Sequence, residues 1–296
     1  VVLSTKDNFP TDLYMVQGLS DLLGPDLCQL QMVEEQDIQQ SLTEYVAVLL
    51  LTQVNFRTGR LLDMAKLTQL AHDKGVLVIW DLAHSAGALP VELDKCEVDF
   101  AVGCGYKYLN GGPGSPAFLY VAKRHQQAVK QPLSGWMGHA KPFAFDAKYH
   151  HSANINQFQC GTPSVISMSA LDAALDVWQD VNMLQIRNKS EALAAVFIKL
   201  INMNECLYEL ILCSPKIAQQ RGSQLAFSHD AAFAICQALI EKGVIADFRA
   251  PNILRFGFTP LYTSFEDVWK AVTTLVNIVE SELYKKTRFN IALKVT

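Results

Sequence analysis

Three groups of polar residues stand just past apolar runs in the first third of the chain. Thr52 follows the run at 46–51 (VAVLLL), Asp81 and His84 follow 76–80 (VLVIW), and Tyr106 and Lys107 come shortly after 99–102. In an open α/β sheet, ligands bind at the carboxyl ends of the strands, so these are the positions where chemistry is expected. An amine and a carboxylate at neighbouring strand ends suit one chemistry in particular. The amine can condense with an aldehyde and later move a proton at the adjoining carbon. The carboxylate can keep a heteroaromatic ring nitrogen protonated, which makes the ring an electron sink. Pyridoxal phosphate is the cofactor that needs both, and Lys107 and Asp81 fit the two roles. Taken singly, a lysine after a strand is most often surface decoration and a strand-end aspartate most often a helix cap. The combination carries the reading.

The elements that must position these residues can be read from hydrophobic periodicity. The run at 46–51 is continuous, as for a strand covered on both faces. Residues 55–60 (NFRTGR) turn into a helix whose apolar positions are Leu62, Ala65, Leu67, Leu70 and Ala71, ended by Gly75. Strands follow at 76–80, 99–102 and 117–121, and the chain itself opens in what reads as a strand. This alternation predicts an α/β fold with a mostly parallel sheet and flanking helices. A loop-rich stretch spans 131–163, where long irregular segments are usually functional. A helical pattern from 164 to about 200 closes a first, larger domain, 1–200. Short strands at 208–213, 223–228 and 254–258, with helices at 231–242 and 264–284, make 201–296 a smaller C-terminal α+β domain.

Composition narrows the function classes. Half of the 296 residues are hydrophobic, 18% are charged and the formal net charge is −4. A sizeable core is expected, and there is no basic stripe for nucleic acid or membrane surfaces. The apolar runs are strand-length and far too short to span a bilayer. Seven cysteines, an odd number without a CxxC pair, predict reduced thiols in a cytoplasmic protein and no structural zinc site. The start, VVLSTKDNFP, has no basic segment followed by an apolar one and so does not read as a signal peptide. Three features are decoys. Gly103-x-Gly105 lacks the third glycine of a dinucleotide fingerprint. The adjacent pair His150-His151 points its rings to opposite sides and is not expected to bind metal. Cys160 has no evident activating base and is expected to be a packed thiol.

At this point the residues resemble a known family. The segment 78–87, VIWDLAHSAG, is similar to the acid-and-histidine strand of fold-type I pyridoxal-phosphate enzymes. Residues 103–114, GCGYKYLNGGPG, resemble the Schiff-base lysine loop of kynureninases in particular. So do Phe9-Pro10-Thr11-Asp12, Asn55-Phe56-Arg57-Thr58-Gly59, Gly135-Trp136-Met137-Gly138-His139 and Arg255-Phe256-Gly257. The motifs occur in the family's order over essentially the whole chain. The YKYLNGGPG and GWMGH segments are the most specific of them. The resemblance begins after the family's N-terminal segment, which carries an early phosphate-binding loop and helps to build the dimer.

The resemblance implies roles residue by residue. Pyridoxal phosphate would be held by Phe9, stacked on its ring, with Pro10, Thr11 and Asp12, and by Asp81 on the ring nitrogen and His84 beside it. Thr52, Tyr106, Trp136 and Thr162 would offer hydroxyl or indole donors to the phosphate. Lys107 would carry the cofactor, Tyr106 would relay a proton, and Arg255 would pair with the substrate's α-carboxylate. No metal is implied. The implied reaction is hydrolysis of L-kynurenine, or its 3-hydroxy form, to the corresponding anthranilate and L-alanine, a step of tryptophan catabolism, in a cytoplasmic homodimer. Rival readings are a cysteine desulfurase or class V aminotransferase of the same superfamily, and a non-catalytic scaffold. A desulfurase needs a mobile, exposed cysteine, and the scaffold reading sits poorly with Asp81, Lys107 and Arg255 occurring together.

Overall fold

Strands covered on both faces read as continuous apolar runs. The computed structural model, which describes residues 1–291, places them there. Strands β1 (Val2–Thr5), β2 (Leu30–Val33), β3 (Val48–Thr52), β4 (Leu77–Asp81), β5 (Phe100–Cys104) and β6 (Ala117–Val121) form one sheet in the order β2-β1-β3-β4-β5-β6. All neighbours are parallel except β5 and β6. The side chains of Leu49, Leu51, Val78 and Trp80 are completely buried. Trp80 sets its indole N–H on the Thr68 hydroxyl at 3.0 Å, so the largest core side chain leaves no unpaired donor. The strands end later than the apolar runs suggest: Thr52 and Asp81 are the last residues of β3 and β4 and lie opposite each other in the register.

Helix α1 (Pro10–Leu23) starts with proline at its first position, where a missing N–H costs nothing. It was not legible in the sequence. Only Leu13 and Val16 of its side chains are buried, and Tyr14, Met15 and Leu22 are exposed, so no single apolar stripe marks it. Helix α2 (Met64–His72) is capped by the Asp63 carboxylate, which accepts from the Lys66 N–H at 3.0 Å. It starts later than expected and buries Met64, Thr68 and Ala71, the i, i+4, i+7 face. The expected single helix from 164 to 200 is two: α3 (Val165–Leu175) and α4 (Met183–Asn202), the latter capped by Asn182.

The chain divides into two compact units. The first is Val1–Gln53, Asp63–Ala86 and Val91–Asp180, and the second is Val54–Leu62, Gly87–Pro90 and Val181–Thr296, of which 292–296 lie outside the described residues. Against the expected division at 200, helix α4 and the short segments 54–62 and 87–90 fall in the second unit. Leu193, Ala194, Phe197 and Ile201 of α4 belong to the hydrophobic core of the second unit, which is what draws the helix there. That unit holds strands β7 (Ile211–Leu212), β8 (Gln224–Ser228), β9 (Asp247–Arg249) and β10 (Ile253–Gly257) in the order β7-β8-β10-β9, all antiparallel. Helices α5 (Ala232–Glu241) and α6 (Phe265–Glu280) complete it. Phe197 meets Phe256 with ring centroids 4.6 Å apart in its core. Strand β9 was not anticipated, being three residues long.

Candidate active site

The strand order of the first sheet reverses its direction of growth between β1 and β3, which opens a crevice at the carboxyl ends of those strands. Four loops leave there, and each brings a polar residue. After β1, Asn8 is buried. Its Oδ1 accepts from the Phe9 N–H at 2.7 Å, and its Nδ2 donates to Ser4 Oγ at 2.9 Å and to the Leu50 carbonyl at 3.3 Å. Phe9 caps α1, and Asp12 lies in the first turn of that helix. From the end of β3, the Thr52 hydroxyl is hydrogen-bonded to Asn8 Oδ1, and it stands 3.3 Å from both Asp12 Oδ2 and Asp81 Oδ2.

A hydroxyl carries one hydrogen, and three acceptor oxygens surround this one. The two carboxyls here are therefore short of protons. Asp81, 6% exposed, accepts on its other oxygen from the Ala83 N–H at 2.7 Å, yet burial still holds its pKa above the ordinary carboxylate range. Burial, and after it the charge of Asp81, raises Asp12 to about 6; the Thr52 hydrogen bond and the charge of Lys107 oppose this without cancelling it. Such a site favours whatever brings a proton or a cation to it.

The amine is next to it. Lys107 comes three residues after β5, with Nζ 3.2 Å from His84 Nε2, 5.9 Å from the centroid of the Phe9 ring and 5.7 Å from that of Tyr106. The loop that carries it folds back tightly, Gly111 N–H donating to the Gly105 carbonyl at 2.8 Å. A Cβ on either glycine would stand 2.3 Å from Ser115 Oγ, so the closure that sets Lys107 requires the two glycines.

Phe9, Asp12, Thr52, Asp81, His84, Tyr106 and Lys107 thus gather at one edge of one sheet. Pro10 and Thr11 form the start of α1, Thr11 being exposed. Trp136 and Thr162 lie in the irregular stretch, both exposed, Trp136 edge-on to Phe143 at 5.6 Å. Arg255 belongs to the second unit, where it is buried. Its guanidinium donates to the Phe56 carbonyl through Nη1 and to Asp247 Oδ2 at 2.9 Å through Nη2. The segment 55–60, which leads towards α2, is a turn that presents this carbonyl. Asn55 Oδ1 accepts from the N–H groups of Arg57 and Thr58, and Gly59 takes φ +74°. Asn8 was missed in the sequence, where its one signal is its place before Phe9-Pro10.

The decoys have structural explanations. A Cβ on Gly103 would strike the Phe118 ring at 2.3 Å, so this glycine admits a cross-strand aromatic. Cys160, expected as a packed thiol, is exposed, with Sγ donating to the Leu133 carbonyl at 2.9 Å. Among the described residues, no group of three or more His, Cys, Asp or Glu side chains is arranged to hold a metal ion, and no helix is long and apolar enough to cross a membrane.

Comparison with known proteins identifies the family. A family model described as the kynureninase C-terminal domain matches residues 186–275. The kynureninase of Burkholderia mallei strain SAVP1 is 48% identical over all of this chain and 71% of its own length. That of Pseudomonas fluorescens is 44% identical over the same shares. The chain belongs to the kynureninase family. Among solved structures, the cysteine desulfurase of Thermococcus onnurineus NA1 superposes with a TM-score of 0.79 at 18% identity, covering 95% of this chain and 72% of that one. The cysteine desulfurase CsdA of Escherichia coli gives 0.78 at 21%, covering 95% and 71%. At such identities the likeness establishes the fold, that of fold-type I pyridoxal-phosphate enzymes; the kynureninases establish the family.

Proposed function

We propose that this chain is a kynureninase, a pyridoxal-phosphate-dependent hydrolase that cleaves L-kynurenine beside its side-chain ketone to give anthranilate and L-alanine. The observation that carries the reading is the proton-short pair Asp12 and Asp81 beside the amine of Lys107, in a chain 48% identical throughout to a kynureninase. The same observation is the test of fit for the cofactor. A protonated pyridine nitrogen brings the hydrogen that Asp81 lacks, and Phe9 offers a flat apolar face on the same side as Lys107 Nζ. Thr52 and Tyr106 offer hydroxyls, and His84 stands at the amine.

When bound, pyridoxal phosphate supplies an aldehyde for amines and a ring that draws electrons from the substrate's Cα. The chain's own residues do the rest. Lys107 tethers the cofactor and moves the proton at Cα. Asp81 keeps the ring nitrogen protonated, with Asp12 and Thr52 beside it. His84 Nε2 shares a hydrogen bond with Lys107 and so holds the amine in place while it is free of the cofactor. Tyr106 relays a proton near the side-chain carbonyl. Arg255 takes the α-carboxylate, a planar group that a guanidinium fits bidentately. Trp136 and Thr162 we assign to the phosphate, and Pro10 and Thr11 to the cofactor's surroundings, on the family pattern. A homodimer in the cytoplasm completes the reading. Helix α3 supports the dimer, since none of its side chains is buried although Val165, Ile166 and Met168 are apolar. Seven free cysteines support the compartment.

Incubation with pyridoxal phosphate and L-kynurenine is expected to give anthranilate and alanine in equal amounts. Release of alanine from cysteine, with no anthranilate from kynurenine, would make the protein a desulfurase instead.

A further inference from the structure

In the second unit, a protein carboxylate already sits on the arginine assigned above to the substrate. Asp247 of β9 lies directly opposite Arg255 of β10 in the antiparallel register, so the two side chains share a face of the sheet. Arg249, two residues further along β9, is on that face as well. Asp247 Oδ2 accepts from Arg255 Nη2 at 2.9 Å and from Arg249 Nη2 at 3.0 Å. The Arg255 side chain is 8% exposed, whereas Asp247 and Arg249 are near 40%, at 41% and 40%. Two further atoms decide the matter. Asp247 Oδ1 and Arg249 Nε are both buried, and neither has a hydrogen-bond partner among the described residues. A carboxylate and a guanidinium joined through one oxygen and one terminal nitrogen, with the other oxygen and Nε unused, have made one of the two contacts of a bidentate pair. Asp247 is therefore divided between two arginines.

We propose that Asp247 is an internal stand-in for the substrate's α-carboxylate, held on Arg255 in the ligand-free protein and handed to Arg249 when a carboxylate arrives. The proposal rests on the assignment of Arg255 to that carboxylate. In the handed-over state, Asp247 Oδ1 and Oδ2 accept from Arg249 Nε and Nη2, and Arg255 Nη2 turns its hydrogen to the ligand. The charge count favours the exchange. Two guanidiniums and one carboxylate carry a net +1, which one ligand carboxylate neutralises without stranding a buried charge at either end. The Phe56 carbonyl stays on Arg255 Nη1 throughout and keeps the guanidinium plane fixed, while the Asn55 turn fixes Phe56. Asp247 and Arg249 are thus positioning residues, acting on substrate through Arg255.

Calorimetric titration of the holoenzyme with L-alanine separates this from a structural role. Arg249→Gln removes the acceptor of the hand-off, leaves Asp247 on Arg255, and should weaken alanine binding by about fivefold, the worth of one part-exposed ion pair. Arg249→Lys, which keeps charge without the fork, should give a smaller loss. Adding Asp247→Asn to Arg249→Gln should restore alanine affinity to within roughly twofold of wild type, because the competitor is gone. Losses that add in the double variant, or an Arg249→Gln protein that binds alanine as well as wild type, would overturn the hand-off. Arg255→Lys distinguishes the underlying reading: if it leaves alanine binding unchanged, the carboxylate is held elsewhere. Thermal melts of each variant report folding, and Arg249→Lys carries the test should the glutamine variant melt early.

Discussion

Buried aspartates at the two edges of the first sheet are treated in opposite ways. Asp99 stands just before β5, at its amino end, with 1% of its surface exposed. Burial alone would raise its pKa, but hydrogen bonds from His72 and His125 at 2.8 and 2.7 Å, the Val78 N–H at 2.8 Å and Arg124 at 2.5 Å outweigh that and lower it to about 2. Every lone pair has a donor. Asp81 and Asp12, at the carboxyl edge, share one hydroxyl hydrogen with an asparagine oxygen, and their pKa values are raised. The difference teaches how one sheet can divide labour. The carboxylate with four donors holds the fold, and the pair that shares one hydroxyl hydrogen is the one we assign to a cationic ligand.

The contrast can be broken most forcefully at Asp99. Asp99→Ala leaves two histidines and an arginine facing a void and is expected to cost about 3–5 kcal/mol of stability, as for other broken buried charge networks. Cofactor bound per folded molecule should stay unchanged. Asp81→Asn is the reverse case. Apoprotein stability at neutral pH should hold or rise, since a buried acid with a raised pKa is removed, while turnover falls on the order of a hundredfold or more. Cofactor binding should survive better than turnover. Chemical denaturation with paired kinetics checks both variants, and equal loss of binding and turnover in a folded Asp81→Asn protein would make this residue structural too.

The pH dependence of the apoprotein follows with opposite signs. The raised Asp12 favours its neutral form in the fold, so its contribution to stability is complete below the ordinary value near 3.8 and is lost as pH rises through about 6. The lowered Asp99 contributes above 3.8 and is lost as pH falls through about 2. Denaturation of apoprotein between pH 4 and pH 7 should therefore show a decline that Asp12→Asn reduces, the raised Asp81 supplying the remainder. The smallest effect is at Thr52. Thr52→Val should change stability by only about 1 kcal/mol, but it removes a hydrogen bond that lowers Asp12, so the Asp12 midpoint should move above 6 in carboxyl-selective NMR titration.

Much of the carboxyl edge was legible because buried parallel strands are written as unbroken apolar runs. The polar residue that ends each run is then marked by contrast, which is how Thr52, Asp81 and Lys107 were found. The amino edge was not legible. Asp99 is bound by residues 27 and 26 positions away, and nothing in the local sequence of His72 or His125 announces a shared partner. Helix α1 was hidden because its apolar residues are mostly exposed, so no periodic stripe forms. Asn8 was hidden since a buried polar residue is defined by its partners, here Ser4, Leu50 and Thr52. Arg255 stands in a family motif, yet nothing in the local sequence signals that Asp247, opposite it on the adjacent strand, occupies it.

We assign Lys107 as the amine that reacts at the carboxyl edge, beside the proton-short acids. Borohydride reduction of the holo-protein, followed by proteolysis and mass mapping, tests it most directly. A single pyridoxyl-labelled peptide containing Lys107 is expected, absent from Lys107→Ala, which should also lose the visible cofactor absorbance. A label on Lys123 or any other lysine, or one that persists in Lys107→Ala, would contradict it.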